Sequence, residues 1–100
     1  MHKYVMVTMF FDDGGQATQM IGPFSRRAKM DKWTKEILRL GSSLIAPILG
    51  LKLSIPEHRP EFSWSDKISP SGMIRTMKLA YQQELRRWEN DWRIGGESPD

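Results

Sequence analysis

The sequence predicts one small α+β domain of order ββαβ(β)α, an antiparallel sheet packed against two helices. Two extended runs at the N-terminal end, Tyr4 to Phe11 and Gln16 to Ile21, are separated by Asp12-Asp13-Gly14-Gly15, which is hairpin chemistry. Two later stretches repeat their apolar residues three and four apart, the helical spacing. The chain has 100 residues, of which 39% are hydrophobic. That is enough for one modest core and too little for two. The domain is expected over residues 1–94, with 95–100 as a flexible C-terminal tail.

In the first strand Tyr4, Met6, Thr8 and Phe10 point one way and Val5, Val7, Met9 and Phe11 the other. Neither face is polar, so this strand is expected to be central or covered on both sides. The second strand, with Gln16, Thr18 and Gln19, is more polar and fits an edge. Gly22-Pro23-Phe24-Ser25 turns the chain into a helix, with Ser25 as the expected N-cap. That helix should bury Met30, Trp33, Ile37 and Leu40 and end at Gly41. Residues 42–50 give no clear pattern, since Pro47 limits any helix there. Leu51, Leu53 and Ile55 alternate as a half-buried strand, and Phe62 and Trp64 suggest a short fourth one. A last helix is expected from about Met73 to Arg93. Ser69 or Ser71 would cap it, with Pro70 at its first position, and Gly95-Gly96 would stop it. Ile74, Met77, Tyr81, Leu85, Trp88 and Trp92 share its apolar face.

Composition removes several function classes. With no cysteine, disulfides, thiolate metal sites and cysteine nucleophiles are excluded. The longest apolar run, Leu44 to Leu53, contains Pro47, Gly50 and Lys52 and is too short to cross a bilayer. No signal-peptide pattern is read at the N-terminus, so a cytoplasmic location without membrane association is expected. Asp12 and Asp13 are neighbours in a turn and do not face one another across a substrate. His58, between Glu57 and Glu61, lacks a second strong ligand, because the other histidine is His2. The sequence therefore predicts no catalytic residues, no metal and no cofactor.

Two residue sets remain as binding candidates. Arg26, Arg27, Lys29, Lys32, Lys35 and Arg39 crowd the first helix against Asp31 and Glu36, in a chain of formal charge +3. Cations near a helix N-terminus suit phosphate, and Arg26, Arg27, Lys29, Lys32 and Arg39 are the nucleic-acid-binding candidates. Asp31 and Lys35, four apart, also fit ordinary surface pairing. The second set is aromatic: Trp64, Tyr81, Trp88 and Trp92, near Met73 and Met77. Trp and Met serve protein-binding surfaces through large, adaptable contact area. Trp88 also fits the core, whereas Trp92, in the last turns before Gly95-Gly96, has less chain left to cover it. A homodimer through the last helix would use the same residues.

The strand–turn–strand unit followed by Gly22-Pro23-Phe24-Ser25 and a helix bearing Trp33 resembles small bacteriophage accessory proteins, over residues 4–40. The resemblance implies a non-catalytic module that binds and inhibits or modulates a bacterial host protein or defence complex, within the host cytoplasm. Ile21 to Arg27 is also similar to the second half of SPOR peptidoglycan-binding domains. The chain departs from that pattern at its Asp12-Asp13-Gly14-Gly15 hairpin. Protein binding through the last helix is thus the leading expectation, and nucleic-acid binding through the first helix is the alternative.

Overall fold

The computed structural model describes the backbone of residues 3–96 and the side chains of residues 3–87. It contains β1 (Val5–Phe11), β2 (Gln16–Ile21), α1 (Arg27–Gly41), β3 (Ile48–Ser54) and α2 (Pro70–Gly96). The strands form one antiparallel sheet of order β2-β1-β3. The predicted α+β class holds, with β1 central and β2 at an edge.

The alternation in β1 decides how the sheet is used. Val5, Val7, Met9 and Phe11 are buried in a cluster with Met30, Trp33 and Ile37 of α1 and Met73 and Met77 of α2. Completely burying a side chain such as Ile37 contributes about 2 kcal/mol. Met6, Thr8 and Phe10 lie on the opposite face, paired with Met20, Thr18 and Gln16 of β2. Their neighbours on β3 are Ser54, Lys52 and Gly50. β1 is central, as its two apolar faces led us to expect, and the described core contacts of both helices lie on one side of it. Met6 and Phe10 stay half-buried on the open face.

At the end of β2 the chain turns a tight corner. Gly22 has φ 141°, and a Cβ there would lie 2.7 Å from the Lys3 carbonyl oxygen, so only glycine fits. The expected fourth strand shrinks to one parallel bridge between Ile21 and Trp64. The Trp64 N–H donates to the Met20 carbonyl at 2.7 Å, and its carbonyl accepts from Gly22 N–H at 2.8 Å. β3 starts at Ile48, within the stretch the sequence left unassigned. Phe10 faces Gly50 while Phe11 faces Ile48, so Leu49 is an extra, exposed residue in a bulge. Bulging breaks the alternation that marks a strand in sequence. Ile55 lies beyond the strand and is exposed rather than half-buried.

The helix boundaries also move. Arg26, in extended conformation, is the N-cap of α1 and makes no side-chain cap bond, so Ser25 stands one residue too early to serve. Gly41 is the last helical residue, and Ser42 ends the helix by donating from N–H and Oγ to the Arg39 carbonyl. Leu40 is only half-buried. α2 begins at Pro70 rather than about Met73, with the predicted cap and first residue: Ser69 Oγ accepts from Gly72 N–H at 3.0 Å, and Pro70 is in the first helical position. Its buried residues are Met73 and Met77, with Ile74 to one side and half-buried. Gly95 and Gly96 are helical rather than a stop, and the remainder of the predicted 95–100 tail, residues 97–100, lies outside the described residues.

Candidate functional site

α2 is held to the sheet along one row at four-residue spacing. Met73 and Met77 are buried, and the Tyr81 ring stacks on Phe11 at 3.8 Å between centroids and 6° between planes. The Tyr81 hydroxyl donates to the Asp13 carboxylate at 2.8 and 2.9 Å, and Gly15 N–H donates to the same carboxylate at 2.8 Å. A Cβ on Gly15 would overlap Tyr81 Oη, so the hairpin tip is shaped to the ring. The Gly15 N–H, followed by the Tyr81 hydroxyl, holds the Asp13 carboxyl below its ordinary value. Burial, followed by the bond to Asp13, pushes the Tyr81 phenol above its own.

The aromatic candidates therefore fall into different places. Tyr81 spends its ring and hydroxyl on the hairpin, and Trp64 is half-buried against the core cluster. Neither side chain is fully exposed. The Trp88 and Trp92 side chains lie outside the described residues. Among the described residues, Tyr81 is the last α2 side chain packed against the core. Residues 82–96 carry the helix on by roughly 22 Å at 1.5 Å per residue. The radius of gyration, 16.1 Å, exceeds the roughly 13 Å of a compact chain this long.

The basic candidates divide between two flanks of α1. Arg27 and Asp31 line one groove, with Met30, Thr34 and the end of β3. Lys29, Lys32 and Glu36 line the other, of about 320 Å³, with Phe24, Trp33, Asp66, Lys67 and Pro70. Arg39 donates through Nε to Glu36 Oε2 at 3.1 Å and through a terminal nitrogen to Oε1. This bond holds the Glu36 carboxyl below its ordinary value and raises Arg39. Surface pairing on α1 thus falls on Glu36–Arg39 rather than Asp31–Lys35. Among the described residues, no carboxylate pairs with Arg26, Arg27, Lys29, Lys32 or Lys67. Of the five nucleic-acid candidates, Arg27 thus lines a different groove from Lys29 and Lys32.

The floor of the larger groove is fixed by the fold. Trp33 Nε1 donates to the Ile68 carbonyl at 2.8 Å, and Phe24 meets the indole edge-on at 5.9 Å. Sequence reasoning missed both Lys67 as a member of this rim and Asp13 as the partner of Tyr81. Asp13 and Tyr81 are 68 positions apart, and no local spacing connects them. Glu57, His58 and Glu61 are exposed in the loop after β3. Among the described residues, no three His, Asp or Glu side chains are grouped to hold a metal ion.

No protein-family model, curated protein or solved structure matches this chain. Among the described residues, no helix is long and apolar enough to cross a membrane.

Proposed function

We propose that this chain is a non-catalytic protein-binding module that works through the distal part of α2. The observation that carries the reading is the continuation of α2 beyond Tyr81, where the described packing against the core stops. In the sequence, the apolar row continues there through Leu85, Trp88 and Trp92. A helix face that carries large apolar residues suits a groove on another protein. The resemblance to bacteriophage accessory proteins makes a bacterial host protein or defence complex the expected partner, inhibited or modulated by docking. A second copy of the chain could use the same face.

The test is an affinity pulldown from bacterial lysate, with nuclease, using the full chain and its Trp92→Ala and Lys32→Glu variants. One dominant protein retained by the wild type and by Lys32→Glu, and lost with Trp92→Ala, supports the proposal. Retention unaffected by Trp92→Ala rejects it. The second reading, nucleic-acid binding through Arg26, Arg27, Lys29 and Lys32, draws on the unpaired cations of α1. It requires retention that collapses with added salt and nuclease.

A further inference from the structure

We infer that the groove between the first half of α1 and the corner leading into α2 is a second docking surface, for an acidic peptide segment with one apolar anchor. It lies at the opposite end of α2 from the distal helix, and its occupant follows from charge and shape. Phe24, Trp33 and Pro70 make an apolar floor, fixed by the Trp33–Ile68 hydrogen bond and the edge-on contact with Phe24. Lys29 and Lys32 rise on one side and Lys67 on the other, none of them in an ion pair with a described residue. Glu36 also lines the groove, but its charge is engaged by Arg39. Asp66 is the remaining carboxylate, so the rim keeps an excess of positive charge.

A volume of about 320 Å³ is at the low end for small-molecule pockets. The groove takes one or two side chains rather than a cofactor. An apolar anchor on the floor would place flanking carboxylates within reach of the amines on both sides. Nucleic acid fits less well. Two carboxylates line the groove and would face a phosphate backbone. Arg27 is on the far flank of α1 and Arg39 is neutralised, which leaves no continuous row of cations for a phosphate backbone.

Fluorescence anisotropy of the full chain, at low and at physiological salt, tests this with four labelled probes. They are an acidic peptide with a central phenylalanine, the same peptide with alanine at its centre, one with lysines for its acidic residues, and a single-stranded oligonucleotide of matching charge. The phenylalanine peptide should bind, the alanine peptide about tenfold more weakly, and the lysine peptide not at all. Lys32→Glu and Lys67→Glu, both at exposed positions, should each weaken the acidic peptide about tenfold, while Trp92→Ala leaves it unchanged. That last control separates this groove from the distal helix, so either proposal can fail alone. No binding of the phenylalanine peptide, equal binding of the two acidic peptides, tighter binding of the oligonucleotide, or indifference to both lysine changes overturns the inference.

Discussion

Asp13 and Tyr81 join the hairpin to the last helix, and their contact should be visible in the pH dependence of stability. Asp13 has its carboxyl held below the ordinary value of 3.8, so its contribution is present above that pH. It is lost as the pH falls through the lower folded value. Tyr81 is displaced the other way. Its phenol lies above the ordinary 10.0, so its contribution is present below that pH and is lost as the pH rises through the folded value. Tyr81→Phe keeps the ring that stacks on Phe11 and removes the hydroxyl, leaving Asp13 only its bond from Gly15 N–H. The expected outcome is a Tm deficit relative to wild type that is largest between the two limits and narrows below pH 4 and above pH 10. Thermal melts across that range check it, and a deficit constant at every pH would show that the bond carries no linkage. Turn chemistry in the sequence identified the Asp13 position correctly, but its partner comes from tertiary packing.

The two helices start by different means, although both starts contain a serine. At α2, Ser69 Oγ accepts the Gly72 N–H, and its loss leaves that donor without its cap; Ser69→Ala should cost about 1 kcal/mol. At α1, Ser25 precedes an uncapped Arg26, so Ser25→Ala should change stability by less than about 0.5 kcal/mol. Urea unfolding of the two variants measures both, and equal losses would contradict the assigned caps. The same contrast explains what could be read at the scale of elements. Periodicity exposed β1, β2, the buried face of α1 and the Pro70 start of α2, because each depends on local spacing. It failed at β3, where the bulge at Leu49 shifts the alternation, and at Trp64, where one bridge imitates a strand. Of the candidate sites, the excess of cations on α1 was legible. Their division between two grooves was not, because it depends on what packs along each side of the helix.

At the scale of the whole molecule, the described core and the proposed binding helix use different parts of the chain. Among the described residues, the buried apolar ones run from Tyr4 to Met77 and the contacts of α2 with the core end at Tyr81. A chain ending after Arg87 keeps all of these, including the Tyr81–Asp13 bond and about one and a half further turns of helix beyond it. It loses residues 88–100, of which 88–96 continue the α2 backbone, and a short stretch of helix contributes little to stability by itself. The shortened protein should therefore unfold cooperatively, with a Tm within about 5 °C of the full chain, a difference of roughly 1 kcal/mol for a domain of this size. It should also lose the partner captured through the distal helix while still binding the acidic peptide at the Lys29–Lys32–Lys67 groove. Calorimetry and the two binding assays on one preparation examine all three expectations together. If truncation instead abolishes cooperative unfolding, residues 88–100 belong to the core and cannot be a surface kept for a partner. If the truncated chain folds and still captures that partner, contact lies elsewhere, and the apolar row beyond Tyr81 has no part in binding.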